Sequence, residues 1–99
     1  MVVKNIKTFQ EGTPFQQLVW TEVLKIKKGQ TVTYTDIANK IGKPLAVRAV
    51  ANAVGKNKLL ITVPCHRVVR SDGTLGGYSG PGGIKTKRKL LESEGVVVK

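Results

Sequence analysis

A single cysteine and a single histidine stand side by side in the chain, as Cys65 and His66. One cysteine excludes an internal disulfide, and the pair is too small for a structural zinc site, which usually takes four nitrogen or sulfur ligands. The pair therefore either carries thiol chemistry or belongs to the core, where a lone cysteine packs as a small hydrophobic residue. Because thiolate is the reactive form, chemistry at Cys65 needs a base and an electropositive setting, for which His66 and Arg67 are the nearest candidates.

The charge balance of the chain favours a polyanionic partner. Its 99 residues carry 17 Lys and Arg against 6 Asp and Glu, a formal net charge of +11. Nucleic acid is the commonest such partner, although an ordinary basic protein would show the same excess. A hydrophobic content of 40% indicates a folded domain. The sequence has no apolar run of membrane-spanning length and no signal-peptide pattern, so a cytoplasmic location is expected.

The first elements are marked by short start and stop signals. Residues 1–12 are expected to be a lead-in, with one short strand at residues 2–6, before a single domain over residues 13–99. Residues 13–16, Thr-Pro-Phe-Gln, combine an N-cap threonine, a proline at the first helical position and a glutamine at the third. They predict a helix, which apolar spacing continues until Lys-Lys-Gly at residues 27–29.

A pair of short helices is predicted next. Residues 33–36, Thr-Tyr-Thr-Asp, form a second capping box, and the helix that follows is expected to stop at Gly42. Pro44 opens a third helix, expected to run from Leu45 to about Val54. Two short helices joined by a tight, glycine-containing turn make a helix-turn-helix pattern, although many proteins that do not bind DNA contain such pairs.

The second half of the chain alternates extended segments, a loop and a helix. Residues 59–63 form an apolar, strand-like run that ends at Pro64, and residues 68–69 are expected to form a short strand. Residues 71–83 hold six glycines and predict a loop, and residues 85–92 predict a last helix. The order predicts a mainly α domain with short strands, winged-helix-like, containing a helix-turn-helix.

The run Pro64-Cys65-His66-Arg67-Val68-Val69 resembles the active-site motif of the O6-alkylguanine-DNA alkyltransferases, the methylated-DNA–protein-cysteine methyltransferases. The resemblance covers roughly residues 13–95. It implies the C-terminal catalytic and DNA-binding domain of that family alone, natural or excised, without the N-terminal domain that usually precedes it. The flanking similarities, in family order, are Thr33-Tyr34, Arg48-Ala49-Val50, Asn57, Gly76-Gly77-Tyr78-Ser79-Gly80 and Leu90-Leu91-Glu92-Ser93-Glu94-Gly95.

The resemblance implies a catalytic role for several side chains. Cys65 would accept an alkyl group from guanine O6. His66 would take the thiol proton through a water, because adjacent side chains on an extended segment diverge, and Glu94 would orient the imidazole. Asn57 is expected to bond backbone near Cys65 and shape the turn. The Tyr34 hydroxyl would donate a hydrogen bond to the departing guanine.

The resemblance also implies how the DNA would be held. The target atom lies inside the duplex, so the base must be rotated out, and Arg48, expected one turn into the recognition helix, would fill the vacancy. Small residues would let this helix approach the minor groove. The residues expected at the DNA are Arg48, Tyr34, Ala46, Val47, Ala49, Ala51 and Lys56, with further phosphate contacts from Lys58, Arg70 and the run of residues 85–89.

The glycine-rich loop of residues 73–83, called the glycine loop below, is expected to form one wall of a guanine pocket. The Ser79 N–H would bond guanine O6, the Val68 carbonyl would accept from the exocyclic amine, and Tyr78 and Gly80 would lie beside the base. The implied partner is double-stranded DNA containing alkylated guanine, O6-methylguanine first and O4-methylthymine second. No metal and no cofactor are expected, and the chain is expected to be a monomer that reacts once.

Two other functions remain open at this point. An alkyltransferase-like protein would bind the lesion and recruit other repair without transfer, although such relatives lack the reactive cysteine that is present here. A winged-helix regulator with an incidental cysteine would bind a specific DNA sequence and undergo no covalent change.

Overall fold

A computed structural model describes residues 11–59, 63–78 and 80–98. The helices are α1 (Pro14–Leu24), α2 (Tyr34–Lys40), α3 (Val47–Gly55) and α4 (Gly83–Ser93). The strands are β1 (Val32–Thr33) and β2 (Val68–Val69), and a 3₁₀ turn spans Cys65–Arg67. The predicted fold class, mainly helical with short strands and a helix-turn-helix pair, is confirmed. The strand predicted at residues 2–6 and most of the run predicted at 59–63 lie outside the described residues.

Both predicted capping boxes are present. At the start of α1 the Gln16 N–H donates to the Thr13 hydroxyl over 3.1 Å, and the Thr13 N–H donates to the Gln16 side chain over 2.9 Å. At the start of α2 the Asp36 N–H donates to the Thr33 hydroxyl over 2.9 Å, and the Thr33 N–H donates to the Asp36 carboxylate over 3.0 Å. Each box satisfies backbone donors that the helix itself leaves unpaired.

The start predicted for the third helix was wrong. Pro44 and Leu45 lie in a turn, and α3 begins at Val47 with no side-chain cap at Ala46. The cause is local, because Gly42 takes a positive φ of 76° and the next residues close turns through backbone bonds from Lys43 to Ala38 and from Ala46 to Lys43. Arg48 is consequently the second residue of α3 and not one turn into it.

The core lies where the first three helices meet. Trp20 of α1 is 1% exposed, and its indole N–H donates to the carbonyl of Ala53 in α3 over 2.9 Å. The indole thus combines a large apolar contact with a satisfied polar atom. The other buried residues of these helices are Val19, Val23, Ile37, Ala38, Val50 and Val54.

A parallel two-stranded sheet connects this helical core to the second half of the chain. Val32 pairs with Val68 and Thr33 pairs with Val69. The sheet is short, but α2 begins directly after β1, and β2 begins directly after the 3₁₀ turn. The pairing therefore brings Tyr34, the first residue of α2, to the turn that holds Cys65. Helix α4 packs against the same turn.

The Thr33 cap gives a test of this arrangement. Thr33→Ala is expected to lower the free energy of unfolding by about 1 kcal/mol, because the Asp36 N–H at the start of α2 loses the hydroxyl that accepts its hydrogen bond. Urea unfolding measures the change. Thr31→Ala, two residues earlier and exposed just before β1, is the control and should change stability much less. Equal effects of the two substitutions would contradict the role of the box.

Candidate active site

Cys65 begins the 3₁₀ turn and is 4% exposed. The extended conformation expected around it was wrong. Pro64 precedes the turn, the Arg67 N–H donates to the Pro64 carbonyl over 2.9 Å, and the Val68 N–H donates to the Cys65 carbonyl. These bonds wind residues 65–67 tightly, so Cys65 and His66 leave the backbone as neighbours on a turn.

His66 forms one side of a buried three-residue network. Its Nε2 lies 3.0 Å from Glu94 Oε2, and the side chain is 1% exposed. An ionised carboxylate only accepts, so Nε2 carries the hydrogen and Nδ1 is left as the basic nitrogen. Nδ1 is buried and has no hydrogen-bond partner among the described residues. The imidazole is therefore oriented by Glu94 and retains a site for one proton.

Arg67 holds the same carboxylate from the other side. Its Nε donates to Glu94 Oε1 over 2.9 Å and its Nη2 donates to Oε2 over 2.7 Å, which makes a bidentate pair. Its Nη1 donates to the carbonyl of Ile26 over 2.8 Å. The pKa of Glu94 is lowered to about 2, chiefly by the Arg67 hydrogen bonds and further by His66. Arg67 therefore holds Glu94 in place and makes no direct contact with the thiol that the structure records. Its position in the sequence, two residues after Cys65, did not indicate that it would bind Glu94.

Asn57 braces the segment that leads to the cysteine. It is buried, its amide donates to the Val63 carbonyl over 2.9 Å, and its carbonyl accepts from the Leu59 N–H over 3.0 Å. Burial raises the pKa of the Cys65 thiol, while a hydrogen bond with Asn57 and the charge of Lys87 lower it. The thiol is thus a buried acid whose anion receives two compensating interactions.

A cavity of about 240 Å³ opens onto Cys65. Tyr34 and Tyr78 face it, and burial raises the pKa of both phenols, so both hydroxyls remain protonated at neutral pH and can donate. Gly76 takes a φ of +75° beside Tyr34, and a Cβ there would lie 3.1 Å from the Tyr34 hydroxyl. The glycine loop can approach the phenol this closely because that side chain is absent. The lining residues are Tyr34, Ala51, Asn52, Val54, Gly55, Cys65, Arg70, Gly77 and Tyr78.

The residues expected at the DNA do not all lie on one face, since Tyr34 and Ala51 line the cavity. Arg48 and Ala49 are exposed, while Val50 and Val54 face the core, and Ala51 lies between the two faces at the cavity. Ala46 and Val47 are half-buried, Lys56 is exposed, Val68 is buried in β2 and Gly80 is half-buried. Ser79 lies outside the described residues.

Lys87 departs from the expectation of phosphate contacts along residues 85–89. It is completely buried, whereas Lys85 and Lys89 are exposed. Its ammonium donates to the carbonyls of Val68, Leu75 and Gly77, so a phosphate contact by Lys87 is excluded. The signal in the sequence was its position four residues before Leu91, which places both residues on the buried face of one helix.

The part of the chain that the structure describes offers no other obvious chemistry. Within residues 11–59, 63–78 and 80–98, no group of three or more His, Cys, Asp or Glu side chains is placed to hold a metal ion. None of the described helices is long and apolar enough to span a membrane.

Comparison with known proteins decides the family. Residues 14–96 match the family described as "6-O-methylguanine DNA methyltransferase, DNA binding domain". The chain belongs to this family. It is 57% identical over 83 residues to the Escherichia coli bifunctional transcriptional activator/DNA repair enzyme Ada, covering 84% of this chain and 23% of that protein. It is 54% identical over 83 residues to the inducible methylated-DNA–protein-cysteine methyltransferase of Bacillus subtilis, covering 84% and 45%.

Solved structures of this family share the fold. Mycobacterium tuberculosis OGT in complex with DNA matches with a TM-score of 0.81 and 52% identity, over 85% of this chain and 51% of that one. Schizosaccharomyces pombe Atl1, bound to damaged DNA containing O6-carboxymethylguanine, matches with a TM-score of 0.77 and 32% identity, over 89% and 82%. The chain thus spans 23% and 45% of the two curated relatives above, and most of Atl1.

The Glu94 network predicts an acid-sensitive fold. A carboxyl with a native pKa near 2 and an ordinary pKa of 4.5 stabilises the folded state above pH 4.5 and loses that contribution as the pH falls toward 2. Between pH 5 and pH 2 the wild type is expected to lose about 2 kcal/mol more stability than Glu94→Gln, measured by urea unfolding at each pH. Glu92→Gln, exposed in the last turn of α4 two residues before Glu94, should keep the wild-type slope; identical slopes in all three proteins would contradict the network's role.

Proposed function

We propose that this domain repairs alkylated DNA by direct reversal, transferring the alkyl group from guanine O6 to Cys65. O6-methylguanine in double-stranded DNA is the first substrate and O4-methylthymine the second. The observation that carries the proposal is a buried thiol that lines the cavity, followed directly in the chain by an oriented, partly unpaired imidazole. His66 Nε2 is fixed 3.0 Å from Glu94, and its Nδ1 has no partner among the described residues.

The transfer begins with the thiol proton. His66 Nδ1 takes this proton from Cys65 through a bridging water, and the Glu94 carboxylate stabilises the imidazolium that forms. Thiolate is the nucleophile, and Asn57 together with the Lys87 charge opposes the rise in thiol pKa that burial causes. In the low-dielectric setting of the cavity these fixed groups act more strongly on the thiolate than they would in water.

In the second step the alkyl group moves from guanine O6 to the Cys65 sulfur. The sulfur attacks the alkyl carbon, a sulfur–carbon bond forms, and the bond from that carbon to O6 breaks with its electron pair passing to guanine. The protonated Tyr34 hydroxyl donates a hydrogen bond to the departing base, which takes up one proton overall, matching the proton lost by the thiol. The thioether is not readily reversed, so each molecule acts once and needs no cofactor.

Access to the base requires that it leave the duplex. Unstacking costs a few kcal/mol, and insertion of Arg48 from the exposed face of α3 would offset part of that cost. Ala46, Ala49 and Ala51 are small and would let the helix approach the groove closely, with Val47 the larger side chain among them. Lys56 and the overall charge of +11 favour the phosphates. The chain would bind as a monomer with little sequence preference, in the cytoplasm with the nucleoid.

The displaced guanine would be read by backbone groups. The Val68 carbonyl already accepts from Lys87 over 2.7 Å, and a carbonyl oxygen has a second lone pair that can accept from the exocyclic amine. The glycine loop supplies the opposite wall, with Tyr78 and Gly80 beside the base and the Ser79 N–H toward O6.

Lesion binding without transfer is the second candidate, and the similarity to Atl1 over most of that protein's length supports it. Cys65 at the cavity favours transfer. A sequence-specific winged-helix regulator with an incidental cysteine is less favoured, since the methyltransferase family match covers residues 14–96, whereas Ada, which is also named a transcriptional activator, is matched over only 23% of its length.

Intact-protein mass spectrometry separates these functions. After incubation with duplex DNA containing O6-methylguanine, the protein is expected to gain the mass of one methyl group, and Cys65→Ala is expected to gain none. Tight binding of the lesion with an unchanged mass, in protein whose thiol is shown to be free, would refute transfer and favour the lesion-binding function.

A further inference from the structure

One lysine of α4 lies inside the protein beside the cavity. The Lys87 ammonium donates to the carbonyls of Val68 over 2.7 Å, of Leu75, and of Gly77 over 3.1 Å. An ammonium has three hydrogens, so its donor capacity is matched by these carbonyls. A buried charge is tolerated only with such compensation, and an apolar side chain here would leave three carbonyls without this donor.

The three carbonyls belong to two segments beside the cavity, β2 and the glycine loop, and Gly77 of the loop lines the cavity itself. Val68 is the first residue of β2, three residues after Cys65. Leu75 and Gly77 flank Gly76, the residue that lies against the Tyr34 hydroxyl. A glycine-rich loop has few side chains with which to anchor itself and loses much conformational entropy when ordered. Lys87 therefore ties the loop to the strand that follows the cysteine turn.

The charge of Lys87 also acts on the groups around it. Its Nζ lies 6.0 Å from the centre of the Tyr34 ring. Its positive charge lowers the pKa of the Cys65 thiol, against the effect of burial. Burial lowers the pKa of Lys87 itself to about 8, Cys65 raises it and the charge of Arg70 lowers it. The ammonium is thus the main form at pH 7.

We propose that Lys87 is a positioning residue for alkyl transfer, which holds the glycine loop against the Val68 carbonyl and places its ammonium beside the segment that follows Cys65. The proposal rests on the proposed function. It couples recognition of the base to activation of the thiol, since one ammonium binds the Val68 carbonyl assigned to the guanine amine, anchors the loop opposite, and stabilises the nucleophile's charge.

The thiol itself provides the first test. The chain has one cysteine, so the rise in thiolate absorbance with pH, or the rate of alkylation by iodoacetamide against pH, reports on Cys65 alone. Lys87→Met is expected to move the midpoint of thiol ionisation up by about one pH unit. Lys87→Arg, which keeps the charge, is expected to have a midpoint close to that of the wild type. Lys28→Met removes one exposed charge away from the cavity and serves as the control.

The methyl-transfer rate provides the second test. At pH 7 a rise of one unit in the thiol pKa lowers the thiolate fraction about tenfold, so Lys87→Met should transfer methyl from duplex DNA about tenfold more slowly than Lys28→Met. The difference should shrink at pH 9, because Lys87, with a pKa of about 8, has by then lost most of its own charge in the control protein; a loss of folding alone would not produce this dependence. Equal midpoints, or equal rates at pH 7, in folded Lys87→Met and Lys28→Met would overturn the proposal.

A third measurement uses proteins that retain Lys87. If Lys87→Met does not fold, the titration of the Lys87 side chain is followed by NMR in the wild type and in Cys65→Ser. The Lys87 midpoint is expected to be lower in Cys65→Ser, because the thiolate that favours the ammonium is gone; unchanged midpoints would overturn the proposal. The thiol and lysine titrations need no DNA, so a wild type that fails to transfer methyl would refute the proposed function separately from the role of Lys87.

Discussion

The burial of Cys65 is the constraint on which the rest of the site depends. A thiol that is 4% exposed is protected from solvent, but burial also disfavours its reactive anion. Three neighbouring groups oppose this effect of burial: Asn57 through a hydrogen bond, Lys87 through its charge, and His66 through a nitrogen that can take the proton. The surroundings of Cys65 therefore favour ionisation of a thiol that stays buried.

The same contacts also hold the domain together. Arg67 joins Glu94, just past α4, to the carbonyl of Ile26, just past α1. The β1–β2 pairing places Tyr34 beside the cysteine turn, and Lys87 ties the glycine loop to β2. Side chains far apart in sequence meet because the turn at residues 65–67 is contacted from both halves of the chain. Stability and reactivity consequently share several residues.

Local signals in the sequence were sufficient for the helix starts at Thr13 and Thr33, because a capping box is closed by residues three positions apart. They failed at α3, where the positive φ of Gly42 and the turn after it delayed the helix to Val47. They also failed at Lys87, because a lysine within a basic run looks exposed unless its spacing from Leu91 is weighed. The meeting of His66 and Glu94, 28 residues apart, came only from family resemblance, since long-range contacts leave no local pattern.

Transfer of the alkyl group from DNA to Cys65 is tested by following the methyl carbon itself. Duplex DNA carrying O6-methylguanine with a ¹³C-labelled methyl group is mixed with an excess of the protein, and both molecules are observed by NMR. We expect the labelled methyl to disappear from guanine and to appear in equal amount as S-methylcysteine at Cys65, with unmodified guanine left in the duplex. A label that stays on guanine while the complex forms would contradict transfer to Cys65.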